Sequence, residues 1–363
     1  MSPYEARLQH DLDEIKKRIK RVSALVRTNL SNSLRALLRE DRALANETVL
    51  ADLPVNREIR AIDAMCHAFV ARHLPSAGHL RFVSSVLRLT IGIERIGDYA
   101  STISREVSQL DRLPRAVVVR DIELIAEQAQ LMFSQSIKSF LEGNADLARG
   151  TKVMESQIDL VFRKVFDDLL AEGDKGTSPV SELFALLSVF NALERVSDQA
   201  KNICEETVFS VEGKTKAPKT YRVLFVERGC DQAAPLALAF VRKAFPGSIA
   251  ASAAGWAAAE DLADGLATFL EERGYGVAEL APAPFDLSGE ELEALHVIIG
   301  LEKGISEHLP TIPFHTVYLE WDIPGLVAEA RKGDASGDFE TLHRVVGHKI
   351  RELVEVLRGE GAD

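Results

Sequence analysis

Apolar positions recur at three- and four-residue spacing from Tyr4 to about Glu212, with almost no glycine or proline inside the periodic stretches. This pattern predicts amphipathic helices, each with one buried stripe. Six are expected: about Tyr4–Asn46, about Asp52–His73, one after Pro75-Ser76 reaching about Leu110, about Arg120–Glu142, Ala145–Ala171, and Pro179–Phe209. Ser178-Pro179 supplies a cap residue followed by proline for the first turn of the last helix. On the third helix, Val86, Leu89, Ile93, Ile96, Ala100, Ile103 and Val107 share one face and must form its core seam. Leu186, Val189, Leu193, Val196 and Ala200 do the same on the sixth.

The segments Leu87–Asp98 and Leu187–Asp198 match in letters and in helical register 100 positions apart, and the match runs on through Ala100 with Ala200 and Ile103 with Ile203. Duplication explains this, so three helices make one half and three make the other. After Glu212-Gly213-Lys214-Thr215-Lys216-Ala217-Pro218, which reads as a linker, the pattern changes to alternating strands and helices. Tyr221–Val226, Val277–Leu280, His296–Gly300 and Thr316–Leu319 are expected strands; Pro235–Phe245, Ala258–Arg273 and Phe339–Arg358 are expected helices. The fold class is therefore multidomain: two all-α three-helix bundles at residues 1–112 and 113–212, then an α/β domain with a small parallel sheet at residues 219–363.

Composition narrows the function. A formal charge of −12 argues against a nucleic-acid partner, which needs a concentrated basic face, and none is expected here. The longest apolar runs fall far short of the roughly 20 residues of a membrane helix, and the charged amino terminus lacks a signal-peptide core. A cytoplasmic protein is expected, meeting membranes only indirectly. Three cysteines without Cys-x-x-Cys spacing indicate neither a disulfide framework nor a thiolate metal site.

The candidate chemistry of the bundles is carboxylate. Glu94 with Asp98, and Glu194 with Asp198, lie on adjacent turns beside their seams. Asp52 with Asn56, and Glu155 with Asp159, repeat the four-residue spacing on the preceding helices. Such pairs are commonly solvated faces with local salt bridges. Gathered from facing helices, all-oxygen ligands would instead suit a hard cation such as Mg, Mn or Fe, and zinc is disfavoured because no histidine shares the face.

Glu94-Arg95-Ile96-Gly97-Asp98-Tyr99-Ala100 and Glu194-Arg195-Val196-Ser197-Asp198-Gln199-Ala200 resemble the paired motifs of the PhoU family, and Pro75-Ser76-Ala77-Gly78-His79-Leu80-Arg81 resembles the opening of its motif helix, with His79 where that family usually has Asp. The resemblance covers about residues 5–212. It implies paired three-helix bundles, metal clusters in some members, and regulation of phosphate uptake through contacts with a transporter ATPase subunit or a sensor kinase. A homodimer is the default assembly. Asn56, in place of an acid, weakens the first metal set relative to the second.

Val223–Pro235 resembles the opening of a low-molecular-weight tyrosine phosphatase or related arsenate reductase, and about residues 219–360 follow that fold. The family's loop begins with a cysteine nucleophile and ends with an arginine that clamps phosphoryl oxygens. Glu227 stands at the nucleophile place, Ala233 at the arginine place and Ala234 at the serine place; Gly229 lies within the loop and Cys230 three residues too late. The late acid falls at Gly325, with Asp322 nearby. A degenerate phosphate loop in a non-catalytic regulator is the leading expectation. An active phosphatase or arsenate reductase, or a carboxylate-metal enzyme of ferritin type, are the alternatives.

Overall fold

The structure, a computed structural model, describes residues 2–110, 116–176, 178–215, 219–277, 280–313, 315–321, 323 and 335–359. The chain divides into two compact units, Met1–Lys216 and Ala217–Asp363.

The first unit is all helix: α1 (Pro3–Arg39), α2 (Arg42–Leu50), α3 (Asp52–His73), α4 (Ala77–Glu106), α5 (Ala116–Glu142), α6 (Ala145–Lys152), α7 (Glu155–Asp174) and α8 (Val180–Glu212). The expected seams are the observed core. Val86, Leu89, Ile93, Ile96, Ala100 and Ile103 of α4, and Val189, Leu193, Val196 and Ala200 of α8, are at most 1% exposed. Burying each large aliphatic side chain contributes roughly 1.5–3 kcal/mol. α4 runs antiparallel to α8, with Arg81 beside Ser210, Arg88 paired to Glu206 at 2.7 Å, and Gly92 beside Gln199.

Two expected helices are each broken once. The first stops where Glu40 turns left-handed at φ 53°, and Asp41 then caps α2 by accepting from the Leu44 N–H at 2.9 Å. A left-handed cap followed by an Asx cap reverses the chain more effectively than continuous periodicity can extend it. The fifth breaks at Val153-Met154, leaving α6 capped by Asn144, which accepts from the Leu147 N–H at 2.9 Å.

The second unit holds β1 (Tyr221–Val226), α9 (Ala233–Ala244), β2 (Ile249–Ala254), α10 (Leu266–Glu272), α11 (Gly289–Glu293), β3 (Val297–Gly300), β4 (Val317–Glu320) and α12 (Ala335–Arg358). Its four strands are all parallel, in the order β2-β1-β3-β4, with Val223 opposite both Ala251 and Val297. Three expected strands are present within a residue. β2, with the sequence Ile-Ala-Ala-Ser-Ala-Ala, was not expected: alanine carries little strand signal, and pairing to β1 supplies what its side chains do not. The strand expected at Val277–Leu280 is not seen at its described ends, and Leu280 is instead a buried plug.

The helix expected at Ala258–Arg273 shortens to α10. The N–H groups of Ala257, Ala259 and Ala263 donate to the carbonyls of Arg228, Gly229 and Asp231 at 2.9, 2.9 and 3.0 Å, tying residues 257–263 to the loop after β1. Backbone donors spent on another segment cannot build a helix.

Candidate functional site

The carboxylates of the second half gather where α7 meets α8. Glu155 and Asp159 project from α7, Glu194 and Asp198 from α8. Their electrostatics are coupled. Burial pushes the Glu194 carboxyl up to about 7, with the Asp198 charge adding to it. Asp159 is raised by burial, then by Glu155 and Asp198. A residue not singled out in the sequence completes this set. Lys201 donates its ammonium to Glu155; burial opposes its charge, but that bond and the charges of Glu155, Asp198 and Asp159 keep it protonated. Arg195 adds a second cation at 3.6 Å from Glu194 and 3.7 Å from Asp198. The repeat carried the signal for Lys201, since Ser101 stands at the equivalent place one turn past Asp98.

The first half is arranged differently. Asn56 donates to Asp52 Oδ2 at 2.7 Å, while Asp52 Oδ1 and Asn56 Oδ1 are shut off from water without a hydrogen-bond partner. The Asp98 carboxyl is raised by burial and then by the Asp52 charge. Gly97 is what allows α3 this close: a Cβ there would stand 3.1 Å from Asp52 Oδ1. In the second half Ser197 occupies that place, buried, with its hydroxyl turned back to the Glu194 carbonyl at 2.6 Å.

The fit to a metal differs accordingly. Among the described residues no three His, Cys, Asp or Glu side chains converge closely enough to hold an ion. In the second half a protonated lysine already supplies the positive charge, so that set does not fit a metal as arranged. In the first half two buried acceptor oxygens lack a donor, and that chemistry suits a hard cation.

The site in the second unit lies directly after β1, outside the carboxyl ends of β1 and β3, where the sheet order reverses direction. In open parallel sheets this crevice is the usual ligand position. Glu227 begins the loop and is fully buried. Its Oε2 accepts from the N–H groups of Ala234 at 2.9 Å and Gln232 at 3.4 Å, at the amino end of α9, while Oε1 has no partner. The carboxyl thus takes the position that the helix amino terminus offers to an anion. Burial pushes it up to about 7, against the pull of the Ala234 and Ala233 amides.

The backbone of the loop around it is sterically confined. Cys230 adopts a left-handed φ of 52°. A Cβ on Gly255 would stand 2.7 Å from the Arg228 carbonyl and 2.8 Å from that of Glu227, so only glycine passes there. The Cys230 thiol is buried and pushed up to about 11, chiefly by burial, which keeps it from being a thiolate nucleophile. Ala233 and Ala234 are buried methyl groups. A Cβ on Gly229 would run into the Asp231 carboxyl. Asp322 and Gly325, the expected positions of the late acid, lie outside the described residues.

Residues 19–107 and 122–207 each match the family model described as the PhoU domain. Both matched stretches lie in the helical unit, one in each half of its repeat. Among curated relatives, the PhoU homolog of Pseudomonas aeruginosa, a phosphate-specific transport system accessory protein, is 28% identical over 206 residues, spanning 56% of this chain and 84% of that one. A namesake from Clostridium acetobutylicum is 24% identical over 57% of this chain and 94% of its own length. The crystal structure of PhoU from Pseudomonas aeruginosa aligns at a TM-score of 0.54 and 28% identity, covering 57% of this chain and 99% of that one. The α/β region aligns with an arginine phosphatase from Geobacillus stearothermophilus at a TM-score of 0.30 and 22% identity, over 38% of this chain and 92% of the other. So weak a likeness assigns no activity. No described helix is long and apolar enough to cross a membrane.

Proposed function

We propose that this protein regulates phosphate uptake and phosphate signalling as a cytoplasmic homodimer that contacts a phosphate-transporter ATPase subunit or a phosphate sensor kinase. The observation carrying this reading is the pair of stretches matching the PhoU domain, with their motif helices α4 and α8 packed on one another, together with relatives that are phosphate transport accessory proteins. The second unit serves as a non-catalytic module. The buried Glu227 carboxyl on the α9 amides, with Ala233 at the place of the clamping arginine, supports that part of the reading.

Cation dependence would rest on the first half, where the unpaired oxygens of Asp52 and Asn56, with Asp98 facing them, would hold Mg, Mn or Fe and join α3 to α4. Elemental analysis of purified protein and of the Asp52→Asn/Asp98→Asn double variant tests this, since equal metal content in both would remove it. The regulatory reading is tested by affinity capture from phosphate-replete cells, where the transporter ATPase or the sensor kinase should be recovered. Deletion of the gene should change the phosphate threshold of uptake, and an unchanged threshold would refute the reading. For the second unit, Glu227→Cys should not turn over aryl phosphates, because Ala233 leaves the equatorial oxygens unclamped. Turnover by the native chain, lost in Glu227→Ala, would favour the phosphatase alternative.

A further inference from the structure

One part of the helical unit is strongly basic. Between α1 and α5 lies an open groove of about 590 Å³, to which α1 presents Lys16, Lys17, Lys20 and Arg27 and α5 presents Lys138. Glu142 is its only carboxylate among the described lining residues. In a unit whose 31 acidic and 30 basic residues otherwise balance, this is a local concentration of positive charge. Lys17 is paired with Glu14 at 3.2 Å, and Lys16 lies over the Phe82 ring. Lys20, Arg27 and Lys138 have no ion pair among the described residues, and each is exposed at the groove.

The groove also contains a built polar group. Ser23 is 6% exposed, lines the cavity between Lys20 and Arg27, and its hydroxyl has no hydrogen-bond partner. Like charges four residues apart, as at Lys16 and Lys20, destabilise a helix by a few tenths of a kcal/mol. A buried hydroxyl left unpaired costs about 1–3 kcal/mol. Both penalties are relieved by one kind of occupant, an anion rich in acceptor oxygens. From Lys16 to Arg27 the cations extend over about 16 Å of helix at 1.5 Å per residue. One orthophosphate would meet only part of that array. An extended anion with several phosphates would meet it all, and the walls formed by Ile137 and Leu141 leave room for an attached apolar or ring portion.

We propose that the α1/α5 groove is a binding site for a small polyphosphorylated anion, either an inorganic polyphosphate or a nucleoside polyphosphate. The cations hold the phosphates and Ser23 donates to one of them. This site is independent of the carboxylate clusters and of the proposed regulatory role.

Isothermal titration of the full chain with tripolyphosphate, ATP and orthophosphate tests it. Tripolyphosphate or ATP should bind with a Kd on the order of 10–100 μM at low salt, more weakly as salt rises, and tighter than orthophosphate by at least about tenfold. Tighter binding of ATP than of tripolyphosphate identifies the nucleotide form, and the reverse identifies the inorganic one. Lys20→Glu/Lys138→Glu should weaken binding at least about tenfold with unchanged helical circular dichroism, and Ser23→Ala should weaken it more mildly. The proposal is overturned if neither polyanion binds, if the double variant binds as well as the native chain, or if only vesicles containing anionic lipid are bound.

Discussion

Replacing Glu227 by glutamine isolates the effect of one buried charge. The carboxyl is fully enclosed, accepts two amide N–H groups through one oxygen, and leaves the other oxygen unpartnered. Burial moves it from the ordinary 4.5 to about 7. The folded chain therefore keeps this proton up to about pH 7, whereas the unfolded chain releases it near 4.5. Between those values unfolding releases a proton, so stability falls as pH rises from about 4.5 to 7 and is level above. Those roughly 2.5 pH units, at about 1.36 kcal/mol each, amount to a penalty of about 3 kcal/mol at pH 8. Glutamine keeps an acceptor for the Ala234 amide and has no charge to lose. Glu227→Gln should thus be about as stable as the native chain at pH 5 and more stable at pH 8 by up to about 3 kcal/mol. Both tryptophans, Trp256 and Trp321, belong to the second unit, so tryptophan fluorescence during urea unfolding reports on it directly. A variant destabilised equally at both pH values would show that the amides hold an ionised carboxylate, and the reasoning from burial would be wrong.

Lys201→Met should destabilise the helical unit by about 1–3 kcal/mol, since it leaves the Glu155, Asp159 and Asp198 carboxylates without their partly buried counter-charge. The loss should be larger at pH 8 than at pH 5, where the raised Glu194 and Asp159 begin to take up protons, and melts followed at 222 nm at both pH values check this. Ile93→Ala, at a wholly buried seam position of α4, should cost about 2–5 kcal/mol, read from urea midpoints by circular dichroism. Gly347→Val should destabilise the second unit by at least about 1–3 kcal/mol, because even a Cβ at Gly347 would lie 2.8 Å from the Phe240 ring; a neutral tryptophan-detected urea midpoint would refute that contact.

Much of this molecule was legible in the chain because helical periodicity is a local property. The seams of α4 and α8, the repeat that relates them, and β1, β3 and β4 all follow from side-chain spacing within a single element. So did the replacement of cysteine and arginine by Glu227 and Ala233, which is a matter of letters at fixed offsets. The elements that escaped depend on partners distant in sequence. β2 is a strand because β1 offers it a ladder, and α10 is short because residues 257–263 give their N–H groups to the loop after β1. The breaks after Glu40 and at Val153 depend on backbone turns that apolar periodicity does not record.

The same division runs through the sites. Sequence alone placed three carboxylate pairs and the Asp52/Asn56 pair at four-residue spacing. Only the packing of α7 on α8 determined that Lys201 neutralises Glu155, while the approach of α3 over Gly97 left Asp52 and Asn56 with unpaired oxygens. Likewise the basic run Lys16–Arg21 stands in the sequence, but Lys138 of α5 lies more than a hundred residues away, so only the packing of α5 beside α1 puts them in one groove. Spacing specifies which face a residue occupies; what that face meets, and hence its charge balance and chemistry, is a property of the assembled helices.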